Sequence, residues 1–408
     1  MNCEELKNIE NINREISIRF ITEESMMKNY LSYLLIFFMT FSIKTFPQGL
    51  KVQPFKWKEL PSLPDSFGFA GCFAGISNNA LLVAGGANFP EGGAPWTGSK
   101  KVWSDKIFVL DKPGGKWKVA GKLPQPLGYG VSVSWNNRLI CIGGSNTAGH
   151  YASVFSISYK GKEINFEKLP DLPQPLANSC GALLGDVIYI AGGLLKPEST
   201  STAKVFWSLN LLEDANNTTW KQLETWPGPP RMLAVAGVQN GAFFLFSGAD
   251  LHANKEEQPQ REYLKDAYQF TPNKGWKKLA NLPHAVVAAP GPAYSTGNSL
   301  IIFGGDDGKL APQASVLKEQ HPGFSDEILS YNTITNQWSS YGKIKTDKKP
   351  DAATNPNGSM WAPVTTPIVV WDENLVFPGG EVRPAIRTPK VIMAHPNFKV
   401  QLPRPSGR

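Results

Sequence analysis

Short apolar runs separated by turns and polar segments recur along most of this chain. Within each run, apolar and polar positions alternate as they do in β-strands with one buried face. In the first unit the alternation predicts strands at residues 67–76, 80–84, 106–111 and 116–120. In the later units it predicts second strands at residues 139–142, 187–191, 242–246, 299–303 and 375–377.

Each predicted second strand is followed by a glycine doublet or its near-copy. The six doublets are Gly85-Gly86, Gly143-Gly144, Gly192-Gly193, Ser247-Gly248, Gly304-Gly305 and Gly379-Gly380. A repeat of roughly fifty residues with these features is typical of kelch-type propeller blades, each a small four-stranded sheet. We therefore expect an all-β fold, a six-bladed kelch-type β-propeller.

Aromatic residues mark the outer strand of five repeats: Trp117, Phe166, Trp220, Trp276 and Trp338. Trp57 starts the same pattern in the segment FKWKELPSLP, before any repeat has been completed. The last repeat supplies only three strands, at about residues 361–370, 375–377 and 390–395. We expect the N-terminal strand at residues 55–60 to complete the C-terminal blade, which removes the open edges of a linear array.

The composition fits one β-rich body with many turns. Charged residues make up 18% of the chain, and it contains 38 glycines and 33 prolines. The repeat leaves no long linker, so residues 49–408 are expected to form a single propeller domain although the length alone would suggest more than one domain.

Residues 1–48 differ from the rest. Met27-Lys28-Asn29 precedes the apolar run YLSYLLIFFMTFSI, which has the length of a signal-peptide core and is short for a membrane span. We expect residues 1–48 to be a signal-peptide region, with translation starting at Met26 or Met27. The chain would then be exported and keep no stable membrane association after cleavage. A retained anchor is the alternative.

Cysteine, histidine and charge patterns narrow the possible ligands. Cys72, Cys141 and Cys180 lie in three different repeats without a Cys-x-x-Cys motif, and the five histidines lack ligand spacing. We expect neither a metal nor another cofactor. The net charge is +7, but the basic residues are dispersed, which favours a small anionic ligand over nucleic acid.

The loops that follow the glycine doublets should gather around the central channel of a propeller. Polar candidates at or just after the doublets are Asn88, Asn146, Asp250, Asp306 and Glu381. Lys101, Arg231, His252 and Trp361 are further candidates at predicted mouth loops or strand starts. A structural role in capping the turn is the alternative for each of these polar residues.

The last repeat concentrates charge in one loop. Its segment FPGGEVRPAIRTPKV places Glu381, Arg383 and Arg387 within seven residues. One interpretation is a solvated cluster of ion pairs, which contributes little free energy. The other is an acid-base group beside an anion binder, because the planar guanidinium of arginine suits a carboxylate.

Several segments resemble the bacterial N-acetylneuraminate epimerases, which are sialic acid mutarotases with a signal peptide and a six-bladed kelch propeller. They are FAGCFAGISNNALLVAGGANFPEG, SKKVWSDKI, YGVSVSWNNRLICIGGSN and GGEVRPAIRTPKV. The order differs from that of the usual family member, because the blades that resemble its end come first here. The chain therefore resembles a cyclically permuted branch, which a propeller tolerates because its ends meet in space.

The resemblance implies an isomerase that interconverts the α and β anomers of sialic acid in the periplasm. It implies that Glu381 accepts a proton and that Arg387, six residues on, belongs to the catalytic site. Arg383 stands where the family has lysine, and Pro389 replaces an aspartate. The substrate-binding candidates are Arg383, Asn88, Lys101, Asn146, Arg231, Asp250 and Asp306.

Two other functions fit a propeller of this kind. One is a protein- or glycan-binding module without catalysis, because kelch propellers serve many functions. The other is a sialidase-like glycoside hydrolase, although the chain has no Ser-x-Asp-x-Gly-x-x-Trp motif and Glu381 has no evident carboxylate partner in the sequence.

Overall fold

The structure, a computed structural model, describes residues 53–90, 93–213, 218–254, 258–347 and 359–397. The predicted signal-peptide region and start site lie outside these residues. The described residues form six four-stranded antiparallel sheets, which are the blades of the propeller, and four short two-stranded ribbons. The predicted all-β, six-bladed propeller is confirmed.

The blades are numbered in chain order and their strands are given from the channel outwards. Blade 1 contains Phe73–Ser77, Ala80–Ala84, Lys106–Leu110 and Lys118–Lys122. Blade 2 contains Val131–Trp135, Arg138–Ile142, Val154–Lys160 and Glu163–Leu169. Blade 3 contains Cys180–Leu184, Val187–Ala191, Phe206–Asn210 and Lys221–Gln222. Blade 4 contains Val235–Gln239, Ala242–Phe246, Ala267–Thr271 and Gly275–Lys278. Blade 5 contains Tyr294–Thr296, Ser299–Gly305, Ser325–Asn332 and Gln337–Lys343. Blade 6 contains Val369–Trp371, Asn374–Pro378, Val391–Pro396 and Phe55–Leu60.

Shorter elements project from the blades beside the glycine doublets. The ribbons pair Ala87–Asn88 with Val102–Trp103, Ser145–Asn146 with Gly149–His150, Ala249–Ala253 with Pro259–Tyr263, and Glu381–Arg383 with Ile386–Arg387. The helical turns among the described residues are Pro95–Thr97, Ala311–Gln313, Ala314–Leu317 and Lys318–Gln320.

The two ends of the described chain meet in blade 6. Phe55–Leu60 runs antiparallel to Val391–Pro396, with Phe55 opposite Pro396 and Leu60 opposite Val391. The outer edge of this blade therefore comes from the N-terminal side of the chain and its three inner strands from the C-terminal side.

The first inner strand is shorter than predicted. It begins at Phe73, and residues 67–72 form an irregular approach to it. Gly68 and Gly71 have φ angles of 68° and 67°, values that a β-strand does not contain. The second strands lie within two residues of their predicted bounds.

Six apolar clusters of the described residues each lie between two neighbouring blades. Phe244, Phe246, Ile302 and Leu329, for example, pack between blades 4 and 5. Because a blade buries both faces against its neighbours, each sheet needs apolar residues on both sides, as in the buried strand Ala80–Ala84. This packing explains why the second strands read as continuous apolar runs.

Tryptophans within or directly before the outer strands connect consecutive blades by hydrogen bonds. The indole nitrogen of Trp338 donates to the carbonyl oxygen of Ala280 at 2.9 Å, and that of Trp276 donates to the backbone carbonyl oxygen of Glu224 at 2.7 Å. Trp220 and Trp117 donate in the same way to carbonyl oxygens of preceding segments. These contacts between blades explain why an aromatic residue recurs at this position of the repeats.

A closed ring of backbone hydrogen bonds crosses all six blades at one end of the channel. Each member has a left-handed φ and donates its N–H to the carbonyl oxygen of the member in the preceding blade, at 2.7–2.8 Å. We call this set the floor ring, and its members are Gly71, Tyr129, Asn178, Leu233, Ala288 and Thr365. The bond from Gly71 to Thr365 closes the ring between blades 1 and 6.

Candidate functional site

A cleft of about 680 Å³ lies above the floor ring, and residues from every blade line it. We call it the mouth cleft. Five members of the floor ring line it, Gly71 being the exception. Its polar and charged side chains include Lys101, Tyr129, Asn178, Gln260, Arg261, Tyr263, Asp306, His321, Glu381 and Arg387.

Glu381 and Arg387 face each other on the blade 6 ribbon, where they are register partners. Glu381 Oε2 lies 3.3 Å from Arg387 Nη2, and Glu381 Oε1 accepts the N–H of Ala385 at 3.0 Å. The left-handed φ of 65° at Ala385 lets the ribbon turn back sharply. The fold therefore holds one carboxylate and one guanidinium side by side at the cleft.

Arg387 is almost fully buried, with only 4% of its side chain exposed. Nη2 donates to the hydroxyl of Tyr129 at 3.3 Å, and the guanidinium carbon lies 4.8 Å from the Phe89 ring centroid. Burial opposes the charged form, but Glu381 and Tyr129 outweigh it and raise the pKa of Arg387. Nε and Nη1 have no hydrogen-bond partner among the described residues. The arginine is therefore a cation whose hydrogen-bonding capacity is only partly used.

Arg383 does not line the mouth cleft, although it is close in sequence to Glu381 and Arg387. It is 1% exposed, lies over the Trp361 ring at 5.2 Å, and donates from Nη1 to the backbone carbonyl of Glu319. Burial lowers the pKa of its guanidinium. The carboxylate of Glu319 in turn accepts from the indole of Trp96. This geometry assigns Arg383 to joining the blade 6 ribbon to the 318–320 turn.

Two other predicted residues do line the mouth cleft. The ammonium nitrogen of Lys101 lies 5.0 Å from the Tyr129 ring centroid and 5.5 Å from that of Trp103. Asp306 accepts the hydroxyl of Tyr263 at 2.8 Å and the N–H of Gly308 at 3.0 Å. The mouth cleft therefore contains two carboxylates, those of Glu381 and Asp306.

Asn88, Asn146 and Asp250 are directed to other partners and are not among the cleft-lining residues. Asn88 donates to Asp65 at 3.2 Å in a separate recess, and Asn146 donates to the Pro126 carbonyl at 2.9 Å. Asp250 accepts the hydroxyl of Thr202. All three side chains stabilise loops.

Arg231 is not among the residues that line the mouth cleft either. It is fully buried and makes a two-point ion pair with Asp266, with Nη1–Oδ1 at 2.9 Å and Nη2–Oδ2 at 2.7 Å. Trp226 and Tyr268 lie against its guanidinium, each 5.4 Å from ring centroid to carbon. Arg231 therefore holds the segment between blades 3 and 4 against blade 4.

The sequence interpretation missed Tyr129, Asn178, Arg261, Tyr263 and His321 as cleft residues. Tyr129 and Asn178 lie just before the inner strands of blades 2 and 3, and the signal for them was the repeated position ahead of each inner strand. Arg261 and Tyr263 lie on a ribbon that the sequence pattern did not predict. His321 follows the helical insertion of blade 5, which the sequence pattern did not predict.

The structure brings Asp250, His252 and Glu262 together on the blade 4 ribbon, although the histidine spacing indicated no such group. Their ligand atoms lie within 4.8 Å of one another, and His252 and Glu262 are exposed. None of the three lines the mouth cleft. Among the helices of the described ranges, none is long and apolar enough to cross a membrane.

Comparison with known proteins agrees with the propeller and its site. The family model for N-acetylneuraminate epimerase matches residues 42–166 and 169–319, which is more than half of the chain. The fold and cleft define a kelch-type propeller with a charged mouth. The chain belongs to the N-acetylneuraminate epimerase family.

Individual relatives align over shorter stretches. The N-acetylneuraminate epimerase of Haemophilus influenzae (strain PittEE) is 40% identical over 126 residues, which are 28% of this chain and 33% of the relative. That of Yersinia pestis (strain Pestoides F) is 41% identical over 109 residues, or 24% and 27% of the two chains. The chain thus spans about a third or less of the length of these relatives.

A solved structure shares the fold over a longer range. The structure of YjhT superposes with a TM-score of 0.57 and covers 82% of this chain and 96% of its own. The sequences are 16% identical, so this similarity supports the propeller fold alone.

Proposed function

We propose that this protein is a sialic acid mutarotase that interconverts the α and β anomers of N-acetylneuraminate at the mouth cleft. The observation that carries the proposal is the pair of Glu381 and Arg387, 3.3 Å apart, in the last blade of an N-acetylneuraminate epimerase family member. The epimerase names of the relatives support the same substrate.

The charges of the cleft suit an anionic sugar. Lys101, Arg261 and Arg387 contribute cations, while Glu381 and Asp306 contribute carboxylates. Arg387 has donor atoms without partners among the described residues, so it can bind the sugar carboxylate through the planar geometry that guanidinium groups favour. A volume of about 680 Å³ lies in the usual range for small-molecule sites.

The chemistry requires two proton transfers. A base removes the proton of the anomeric hydroxyl while an acid protonates the ring oxygen, which opens the ring to a ketone. Rotation about the adjacent bond and closure on the other face give the other anomer. Glu381 is the proposed base, because Oε2 carries no hydrogen bond from a backbone donor while Oε1 is held by Ala385.

Proton NMR tests this function directly. The α anomer of N-acetylneuraminate is released freshly, and its conversion to the β anomer is followed with wild-type protein, with Glu381→Gln and without protein. We expect acceleration by the wild type and a loss of about 100-fold or more in kcat for Glu381→Gln. A wild-type rate equal to the blank would refute the function, and equal rates for both proteins would refute the choice of base.

A sialidase-like hydrolase is the second candidate, and one observation favours it. Asp306 and Tyr263 are hydrogen-bonded in the same cleft as Glu381, which supplies two carboxylates and a phenol. An α-linked sialoside incubated with the protein distinguishes the two reactions, because only a hydrolase releases the aglycone. Binding of sialic acid without either reaction would point to the binding module.

We also propose export to a bacterial periplasm, supported by the apolar run near the N-terminus. Expression of the full chain in a Gram-negative host, followed by fractionation and N-terminal sequencing, tests the proposal. Export predicts a shortened chain in the periplasmic fraction. A full-length chain in the membrane fraction would indicate a retained anchor.

A further inference from the structure

The proposed ring opening needs a proton donor to the ring oxygen, and the mouth cleft contains two phenols near the charged groups. Tyr263 donates its hydroxyl hydrogen to Asp306 at 2.8 Å, so that hydrogen already has an acceptor. Burial, reinforced by Asp306, raises the pKa of Tyr263 to about 12. Tyr263 is therefore a poor acid.

The hydroxyl of Tyr129 has the opposite arrangement. Its oxygen accepts a hydrogen bond from Arg387 Nη2 at 3.3 Å, so its own hydrogen is left for another acceptor. The same Nη2 lies 3.3 Å from Glu381 Oε2. One guanidinium nitrogen thus contacts both the proposed base and the Tyr129 oxygen, which places the two oxygens on neighbouring sides of a single group.

Two cations lie close to Tyr129. Arg387 contacts its oxygen, and the ammonium of Lys101 lies 5.0 Å from its ring centroid. Negative charge that develops on the Tyr129 oxygen while its proton is transferred would therefore lie near two cations. Beside Tyr263, by contrast, lies the carboxylate of Asp306.

The backbone fixes Tyr129 in place. Its N–H donates to the Gly71 carbonyl at 2.7 Å, and its own carbonyl accepts from Asn178 at 2.8 Å. Its φ of 60° is rare for a bulky residue. The ring packs so closely on Gly71 that a Cβ there would lie 2.7 Å from a ring carbon. This rigidity suits a group that must meet one substrate atom.

We propose that Tyr129 is the proton donor to the ring oxygen, a role that rests on the proposed mutarotase function. As the anomeric carbon–ring oxygen bond breaks, its electron pair goes to the ring oxygen, which takes the hydroxyl proton of Tyr129. Glu381 takes the proton of the anomeric hydroxyl, and the carbonyl forms. Closure on the other face returns the ring-oxygen proton to Tyr129 and gives the anomeric oxygen the proton held by Glu381. No proton or electron is gained or lost overall.

Paired phenylalanine variants test the assignment. Tyr129→Phe keeps the ring that packs on Gly71 and faces Lys101. Tyr331→Phe is the matched control, because Tyr331 is a buried phenol that donates to Asn336 and does not line the cleft. We expect Tyr129→Phe to lower kcat for anomer exchange by about 100-fold or more with little change in KM. Tyr331→Phe should keep most of the wild-type kcat. Thermal unfolding of both variants checks that the fold is intact.

The outcomes separate the two proposals. An active wild type with a fully active Tyr129→Phe would overturn the role of Tyr129 and leave the mutarotase function standing. A wild type that does not accelerate exchange would overturn both.

A fluorinated tyrosine at position 129 provides a second test, the kcat–pH profile, in which the phenol is kept and only its acidity is changed. Fluorination makes the phenol more acidic, so the alkaline limb of the kcat–pH profile should move to lower pH. An unmoved limb would contradict the assignment.

Discussion

Glu381 and Arg387 are register partners in a two-stranded ribbon, with 3.3 Å between Oε2 and Nη2. Arg387 is the sixth residue after Glu381, and the turn at Ala385 brings the two side by side. The same guanidinium nitrogen reaches Tyr129 on blade 2. Residues of blades 2 and 6, which are far apart in sequence, therefore both contact the guanidinium of Arg387. The chemistry proposed for the cleft depends on this guanidinium.

Arg387→Lys should weaken sugar binding more than it weakens the fold. Lysine keeps the charge but loses the planar pair of donors that suits a carboxylate. Hydrogen bonds to charged groups contribute about 1.5–3 kcal/mol, so we expect the Kd for sialic acid to rise roughly 10- to 100-fold. Isothermal titration with the β anomer measures this. An unchanged Kd would mean that the sugar carboxylate binds elsewhere.

Lys101 and Asn88 offer a test of which loop residues face the cleft. Lys101→Met removes a cation that lines it, so we expect a higher KM for the anionic sugar. Asn88→Ala removes a hydrogen bond to Asp65 outside the cleft, so KM and kcat should stay as in the wild type. Steady-state kinetics by NMR compares the two variants, and a larger effect at Asn88 would contradict the assignment.

The repeat and its glycine doublets predicted the blades well, because tight left-handed turns and apolar second strands are local properties of the sequence. They predicted the cleft less well. Asp306 and Glu381 follow their doublets directly and face the cleft, whereas Asn88, Asn146 and Asp250 lie one position later. Side chains alternate between faces along extended backbone, so a shift of one residue redirects the side chain.

Other parts of the site depended on distant contacts that no local pattern records. The sequence predicts that Arg231 and Arg383 bind anions. In the fold, Arg231 pairs with the carboxylate of Asp266, and Arg383 donates to the backbone carbonyl of Glu319. The position of Tyr129 at the cleft is set by the floor ring, which joins residues from six separate repeats.

Arg231→Met should destabilise the propeller without affecting the chemistry. Removing one partner of a buried ion pair leaves Asp266 uncompensated, which costs about 3–5 kcal/mol. Lys221→Met is the control, because its pair with Glu213 is largely exposed and contributes about 0–1 kcal/mol. Urea unfolding of both variants gives the two values. A smaller loss for Arg231→Met than for Lys221→Met would contradict a structural role for Arg231.

Buried tyrosines should make the fold sensitive to alkaline pH. Burial is the main cause that raises the pKa of Tyr263, Tyr268 and Tyr331 from 10.0 to about 12. Between these values the unfolded chain releases phenol protons that the folded chain keeps, so rising pH favours unfolding. The stabilisation is complete below pH 10 and is lost as the pH approaches about 12.

Urea unfolding at a series of pH values, with tyrosinate absorbance recorded in parallel, measures this loss. Tyr331 is the informative position, because its hydroxyl donates to Asn336 at 2.8 Å and no carboxylate contributes to its raised pKa. Tyr331→Phe should reduce the slope of stability against pH above pH 10, since one titrating phenol is gone. A wild-type stability that stays level across this interval would show that the three phenols ionise alike in the folded and unfolded chains.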